Sequence, residues 1–217
     1  MAVPRSEPYI WVTWLSKLLV GEDSCEWAAW FKAQHGSFDK VPSSFNQAAW
    51  LMAHTSLLGQ VRTDLEDKGL TVFTERQNNF TLKGKAATLG GQADLIGTSG
   101  GSGLILDAKT GQPRTSDHVQ VMIYMWAIPQ ALRQYQGVVF DGKVVYTDHE
   151  VPIPASAVDD AFKTNLIKLI RQVSSASPLR KVPSRMECGF CPIARTECRD
   201  RIEGPDDREP GAAASDF

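Results

Sequence analysis

Two carboxylates and one ammonium group lie close together in the sequence near the middle of the chain. Asp94 lies within an apolar segment, and a second apolar segment ends in Asp107 and Lys109. Because successive side chains of a β-strand point to opposite faces, Asp107 and Lys109 should project from the same face of a sheet. Asp94, on the neighbouring strand, can converge on the same place. Charges gathered in a partly buried place are costly unless they are compensated, so this pattern predicts a divalent-cation site suited to hydrolysis.

The segments that carry these residues are predicted to form a β-hairpin. Residues 88–97 form the first strand, the glycine-rich residues 97–103 form a tight turn, and the second strand runs from Leu104 to Lys109. The turn lacks the Lys-Ser or Lys-Thr ending of a phosphate-binding loop. The glycines are therefore interpreted as turn residues and not as a phosphate site.

A helix should follow the second strand, from about His118 to Ile128 and before Pro129. Gln120 and Tyr124 are four residues apart in it, so they share one face of the helix. We expect this face to look back at the candidate site, because the helix follows directly from the strand.

The order of these residues resembles the restriction-endonuclease-like superfamily, usually written PD-(D/E)XK, and more closely its RecB-type branch. That branch includes the CRISPR-associated iron–sulfur exonucleases and the nuclease domains of helicase–nuclease complexes. The shared pattern is G-x-x-D, then D-x-K, then Q-x-x-x-Y, and the matching residues are Gly91, Asp94, Asp107, Ala108, Lys109, Gln120 and Tyr124. A D-x-K triplet alone carries little information, whereas the ordered set is specific. The resemblance covers roughly residues 10–201.

The resemblance implies a metal-dependent DNA exonuclease that hydrolyses phosphodiester bonds, with single-stranded ends as its substrate. Asp94, Asp107 and the backbone carbonyl of Ala108 would hold Mg²⁺ or Mn²⁺. In RecB-like nucleases a histidine on the helix before the strand pair is a further metal ligand, and His54 lies at the matching place. The residues before His54 depart from the usual pattern, in which a small Gly precedes the histidine.

The remaining catalytic residues are assigned by the same resemblance. Lys109 would position a water molecule or help to deprotonate it, and would stabilise the charge that develops in the reaction. Gln120 and Tyr124 would hold Lys109 or contact the scissile strand. For Tyr124, packing in the core is the alternative.

The four cysteines divide into one near the N-terminus and three near the C-terminus, listed here in order: Cys25, Cys188, Cys191 and Cys198. In a cytosolic chain, metal ligands or free thiols are more common than disulfides. Four thiolates can hold an iron–sulfur cluster or a structural zinc ion. The arrangement of one distant cysteine and a C-terminal trio is that of the iron–sulfur members of the RecB-like group, so the resemblance favours a [4Fe–4S] cluster that ties the two ends of the chain together.

The remaining helices and strands are predicted from the pattern of apolar residues. Residues 9–35 are predicted to be helical, with a break at Gly21 and a second helix that carries Cys25 in its first turn. A third helix is predicted from about Phe45 to Lys68. Residues 70–82 form a predicted strand. The remaining elements are a hairpin at 135–151 that turns at Asp141-Gly142 and an amphipathic helix at 155–173.

These elements predict an α/β fold of the restriction-endonuclease-like type, with a mixed central sheet flanked by helices. Residues 1–202 would form one RecB-like nuclease domain, in which residues 10–35 and 180–201 hold the cluster. Residues 203–217 would be a disordered acidic tail. A chain of 217 residues with 42% hydrophobic composition can bury the core of one such domain.

The composition of the chain indicates where the protein is located and what it binds. No segment approaches the ~18 consecutive apolar residues of a membrane span, and the start lacks the layout of a secretory signal, so a cytoplasmic protein is expected. The net charge of −2 hides a basic stretch from Lys163 to Arg201, which could contact a phosphate backbone or simply face water. DNA is the expected partner, together with CRISPR adaptation, repair or recombination proteins. The alternatives are a non-catalytic module that binds DNA ends in a larger complex and a zinc-bound scaffold.

Overall fold

A computed structural model describes residues 1–42 and 46–203 of the chain. The helices of these residues are α1 (Val12–Leu19), α2 (Glu26–Gln34), α3 (Gln47–Asp67), α4 (Thr115–Ala131), α5 (Asp160–Val173) and α6 (Arg185–Phe190). The strands are β1 (Val3–Pro4), β2 (Tyr9–Trp11), β3 (His35–Ser37), β4 (Thr71–Thr74), β5 (Asn79–Lys83), β6 (Thr88–Gln92), β7 (Leu95–Ser99), β8 (Ser102–Lys109), β9 (Val139–Tyr146) and β10 (Glu150–Ile153). Phe45, the predicted start of the third helix, and the predicted tail from Gly204 onward lie outside the described residues.

The strands form a central sheet of five strands in the order β10-β9-β8-β7-β4. β8 and β9 run parallel, whereas the other neighbouring strands of this sheet are antiparallel, so the sheet is mixed. The parallel pair requires a crossover connection, which contains α4. A second sheet has the order β2-β6-β5, and β1 pairs with β3.

Helices cover both faces of the central sheet. On one face Ile105 of β8 lies in the same hydrophobic cluster as Val121 and Ile123 of α4. On the other face Leu106 lies in a cluster with Leu65 of α3. Neighbouring residues of β8 therefore serve opposite layers, as the pleat of a strand requires. The prediction of a mixed α/β fold with a central sheet flanked by helices is confirmed.

A two-residue turn joins β7 to β8. Ser99 pairs with Ser102, and the residues between them, Gly100 and Gly101, have φ angles of 57° and 88°. Hairpin turns with positive φ at both central positions match the twist of the flanking strands, and glycine adopts these angles without steric cost. The predicted hairpin and the role of its glycines are confirmed, but the predicted first strand at 88–97 is wrong as one element. Residues 88–92 form β6 in the second sheet, and β7 (Leu95–Ser99) is the strand that pairs with β8.

The N-terminal and C-terminal parts of the described chain lie against each other. The Trp27 N–H donates to the Arg180 carbonyl at 3.0 Å, and the Val41 N–H donates to the Pro192 carbonyl at 2.9 Å. The Trp30 indole also donates to the Ser175 carbonyl at 2.8 Å. Direct hydrogen bonds therefore join these two segments. A cluster as an additional tie stays a prediction.

The predicted strand at residues 70–82 is wrong in its middle. Residues 75–78 form a 3₁₀ turn that separates β4 from β5, which belong to different sheets. The turn begins with a capping box in which the Thr74 N–H donates to the Gln77 side-chain oxygen at 3.0 Å. These local hydrogen bonds end β4 at Thr74, so the single strand that the apolar pattern predicts does not form.

The predicted turn at Asp141-Gly142 is also wrong, because both residues lie inside β9. A Cβ atom at Gly142 would lie 2.5 Å from the Val121 side chain and 2.7 Å from the Met125 sulfur. Glycine at this position thus lets α4 pack closely on the sheet. The turn between β9 and β10 follows Tyr146.

None of the helices in the described residues combines the length and the apolar character that a bilayer-spanning helix needs.

Candidate active site

The end of β8 places two opposite charges side by side. Asp107 is 2% exposed, and its Oδ2 atom lies 2.6 Å from the Nζ atom of Lys109. Both side chains point to the α4 side of the sheet, as the alternation of the strand predicts. The side chain of Lys109 is 26% exposed, so the ammonium group reaches from the buried carboxylate toward solvent.

Helix α4 supplies an amide that joins this pair. Gln120 Nε2 donates to Asp107 Oδ1 at 2.9 Å and to the Tyr124 hydroxyl at 3.1 Å. Gln120 Oε1 accepts from Lys109 Nζ at 3.2 Å. The expectation that Gln120 and Tyr124 share a face that looks back at the site therefore agrees with the geometry.

The helix is longer than the sequence predicts. It starts at Thr115, because Arg114 and Asp117 form a capping box in which the Arg114 N–H donates to the Asp117 carboxylate at 3.0 Å. It also continues past Pro129 to Ala131. Pro129 lacks the N–H that would donate to the Met125 carbonyl, and the helix ends two residues later, at Ala131.

Asp94 lies where the chain passes from β6 in one sheet to β7 in the other. Its Oδ2 atom accepts a hydrogen bond from the Ala108 N–H at 2.8 Å. The same oxygen lies 3.3 Å from Nε2 of His54, which is 5% exposed on α3. His54 is stacked on the Trp50 ring with a centroid distance of 4.8 Å. The structure therefore brings His54 and Asp94 to the end of β8 that carries Asp107.

Asn78 holds the backbone around Asp94, and sequence reasoning missed it. The side chain is fully buried, and its Nδ2 atom donates to the carbonyls of Phe73 at 2.9 Å and Ala93 at 3.2 Å. The Glu75 N–H donates to the Asp94 carbonyl at 2.9 Å. The order Thr74-x-x-Gln77 followed by Asn78 matches a capping-box pattern and could have signalled this turn.

Asp117 is a third carboxylate near the site that sequence reasoning missed. Its Oδ2 atom accepts from the Tyr146 hydroxyl at 3.0 Å. Tyr146 is the β9 partner of Lys109 in the parallel ladder, which places Asp117 on the same side of the sheet as Lys109. Burial and the nearby Asp117 charge raise the pKa of Tyr146 to about 12, so the hydroxyl stays a donor.

Burial dominates the electrostatics of Asp107. Loss of solvent raises its pKa to about 7 and the Asp94 charge adds to this rise, although the Lys109 ammonium works in the opposite direction. For Lys109, burial lowers the pKa, but the carboxylates of Asp107, Asp117 and Asp94 together raise it above its ordinary value. The hydrogen bond with Asp94 raises the pKa of His54.

The glycine of the G-x-x-D pattern has a packing role. A Cβ atom at Gly91 would lie 2.8 Å from the Phe80 ring and 2.9 Å from the Tyr124 ring. Only a residue without a side chain lets Tyr124 approach β6 this closely. Gly91 thereby helps to seat α4 against the strand that leads to Asp94.

The oxygens of Asp94, Asp107 and the Ala108 carbonyl fit Mg²⁺ or Mn²⁺, which prefer carboxylate and carbonyl ligands, and His54 would add a nitrogen ligand. Asp107 Oδ2 is buried and contacts the Lys109 ammonium group at 2.6 Å. No three His, Cys, Asp or Glu side chains within residues 1–42 and 46–203 are arranged to hold a metal ion. Metal binding would therefore need the carboxylates to exchange their present contacts.

The four cysteines line one cavity of about 520 Å³. They are free thiols, and Cys25 precedes the first residue of α2 instead of lying in its first turn as predicted. Burial raises the pKa values of Cys191 and Cys198. As in the acidic site, no group of three side chains in the described chain forms a metal-binding arrangement here. The thiol donor set fits a four-cysteine site, and the cluster itself stays a prediction.

A family model agrees with the residue pattern, and two further comparisons were made with known proteins. A family model described as the PD-(D/E)XK nuclease superfamily matches residues 20–199. The crystal structure of SSO0001 is similar, with 17% sequence identity and a TM-score of 0.44 over 86% of this chain and 84% of that chain. A search of curated protein sequences gives no match.

Proposed function

Because the chain belongs to the PD-(D/E)XK nuclease superfamily, we propose that it is a divalent-metal-dependent exonuclease that hydrolyses DNA at single-stranded ends. The observation that supports catalysis most directly is the contact between Lys109 and Asp107. The side-chain amide of Gln120 is hydrogen-bonded to both of these residues. The exonuclease activity and the single-stranded substrate rest on the resemblance of the same residues, with His54, to the RecB-like branch.

Asp94, Asp107, the Ala108 carbonyl and His54 would hold Mg²⁺ or Mn²⁺. The bound ion would polarise a phosphate oxygen and lower the pKa of a water molecule. Support comes from the position of the two carboxylates at the same end of β8: Asp94 Oδ2 accepts from the Ala108 N–H at 2.8 Å, and the buried Asp107 is the preceding residue of the strand.

Lys109 would act mainly through its charge. In the metal-free protein the surrounding carboxylates raise the pKa of Lys109 above its ordinary value, so the side chain is an ammonium group at neutral pH. Nζ would orient the attacking water and stabilise the negative charge that develops on the phosphate. Gln120 Oε1 holds Nζ from one side, so Gln120 would position Lys109 for this role.

The proposal predicts that the protein shortens end-labelled single-stranded DNA only when Mg²⁺ or Mn²⁺ is present. Lys109→Met should reduce the rate by roughly 10²- to 10³-fold, because it removes a preorganised charge from the site. Oligonucleotides labelled at the 5′ or the 3′ end give the rate and the polarity of cleavage on denaturing gels.

The matched control is Lys85→Met, which removes an exposed lysine that lies outside the site. It should cleave like the wild type. Equal cleavage by Lys109→Met would contradict the proposed role of Lys109. DNA-end binding without cleavage by the wild type would instead favour a non-catalytic module of a CRISPR or repair complex.

We also propose that the four thiols hold a [4Fe–4S] cluster. Support comes from their common cavity and from the contact between the segments that carry them. Glu187, next to Cys188, accepts hydrogen bonds from the N–H groups of Ser24 and Cys25 at 3.0–3.1 Å, so Cys25 is held beside the C-terminal trio without a metal.

Protein purified without oxygen should therefore be brown and contain iron and inorganic sulfide in equal amounts. Cys198→Ser should lose both and unfold at a lower temperature, because the cluster would join distant parts of the chain. Elemental analysis, visible absorption and thermal melting measure these effects. Ser177→Ala, at an exposed position in the same part of the chain, should keep the iron. A colourless preparation that contains zinc would contradict the cluster and would show that the cysteines hold a structural zinc ion.

A further inference from the structure

The loop between α1 and α2 reaches the first turn of α4. Glu22 accepts two hydrogen bonds from Ser116, one from its N–H at 2.9 Å to Oε1 and one from its hydroxyl at 2.6 Å to Oε2. Ser116 is 4% exposed and is 94 residues away in sequence. Its N–H is one of the groups that a helix start leaves without an intrahelical partner, so the Glu22 carboxylate acts as a cap from outside the helix.

The residue that Glu22 holds lies on the catalytic face of α4. Ser116, Gln120 and Tyr124 are spaced four residues apart, so they lie one above another on the helix surface. Gln120, one turn beyond Ser116, contacts both Asp107 and Lys109. A shift or rotation of the first helical turn would therefore move the Gln120 amide relative to the charged pair.

The same loop is fixed at its other end. The N–H groups of Ser24 and Cys25 donate to the Glu187 carboxylate at 3.0–3.1 Å. Glu22 is thus attached through the chain to the cysteine-lined cavity and through its side chain to α4. The charge of Glu22 is favoured there: burial works to raise its pKa, but the Ser116 hydrogen bonds and the Arg114 and Lys17 charges lower it overall.

We propose that Glu22 is a positioning residue of the nuclease site: by holding Ser116, it sets the placement of Gln120 against Asp107 and Lys109. The inference rests on the proposed function for its kinetic effect, but its structural part does not depend on catalysis. Through Glu22, the loop that carries Cys25 also helps to hold α4 in its position.

Glu22→Leu removes both acceptor oxygens, whereas Glu22→Gln keeps one oxygen that can accept from Ser116. Without added divalent cation, amide hydrogen exchange of the protein is expected to accelerate by about tenfold or more at residues 116–120 in Glu22→Leu, and less in Glu22→Gln. Glu7→Gln is the matched control, because Glu7 is a surface carboxylate paired with Lys83. Unchanged exchange at 116–120 in Glu22→Leu would overturn the inference.

The kinetic arm uses a double-mutant cycle. Glu22→Leu should lower kcat about tenfold with little change in KM, and Glu22→Gln should recover part of the loss. In a Gln120→Ala background, Glu22→Leu should have little further effect on kcat, because the side chain through which Glu22 acts on the site is absent. An equal loss in both backgrounds would show that Glu22 supports the fold in general and would overturn the positioning role. Absence of cleavage by the wild type would refute the proposed nuclease, and the exchange experiment would still decide whether Glu22 places α4.

Discussion

Asp107→Asn is expected to lower the rate of metal-dependent DNA cleavage by roughly 10³-fold while the fold is kept. A bound cation and its charge contribute several kcal/mol to a hydrolytic transition state, and each ~1.4 kcal/mol corresponds to a tenfold change in rate. The amide oxygen is a weaker ligand than a carboxylate and carries no charge. Cleavage of end-labelled DNA at saturating Mg²⁺ measures the effect.

The fold should tolerate this change for a reason visible in the site. The asparagine oxygen can still accept from Gln120 Nε2, which now donates to Asp107 Oδ1 at 2.9 Å. Removal of a buried charge offsets the loss of the ion pair with Lys109. We therefore expect thermal unfolding close to that of the wild type. Asp64→Asn, which changes an exposed carboxylate on α3, is the control for both measurements. Cleavage by Asp107→Asn within tenfold of the wild type would remove Asp107 from the metal site.

The affinity for Mg²⁺ is expected to rise by at least tenfold per pH unit as the pH increases toward 7, because the ion displaces a proton from Asp107 and a second from His54. Burial raises the pKa of Asp107 to about 7 in the metal-free protein, so below this pH the ion must displace a proton. The raised pKa of His54 adds to the same dependence. Calorimetric titrations in buffers of different ionisation enthalpy measure the affinity and the proton release.

The same shift has a consequence for stability with a defined sign. The pKa of Asp107 is higher in the folded protein than its ordinary value of 3.8, so between these values the folded state holds more protons than the unfolded state. This group therefore stabilises the metal-free protein fully below pH ~4 and loses its contribution as the pH rises to about 7. Asp107→Asn should flatten this part of the pH dependence of Tm. Mg²⁺ affinity that stays constant from pH 5 to 8 would contradict a buried, protonated Asp107.

Local rules were enough to predict the centre of the site. Alternation along one strand places Asp107 and Lys109 on the same face, and the spacing of four residues places Gln120 above Tyr124. These relations depend on one element each. His54 required the family resemblance, because a histidine in an apolar helix is usually a core residue, and its distance to Asp94 depends on how α3 packs against the sheet.

The parts that were missed depend on contacts between distant segments or on local hydrogen bonds that compete with a strand. Glu22 and Ser116 are 94 residues apart, and neither carries a pattern that indicates the other. The 3₁₀ turn that contains Asn78 interrupts a segment whose composition favours a strand. Gly142 reads as a turn residue, yet it lies inside β9 because α4 packs too closely there for a side chain.

The Gly100-Gly101 turn offers a place to attach a reporter. It lies at the opposite end of β8 from Asp107, and the six residue steps of extended chain from Gly101 to Asp107 span roughly 20 Å. Exposed loop tips tolerate insertions, and lengthening a loop costs little free energy because the closure entropy grows slowly. A fluorophore or an affinity tag inserted between the two glycines would therefore allow surface immobilisation or single-molecule observation of the protein with the catalytic end of the sheet left open.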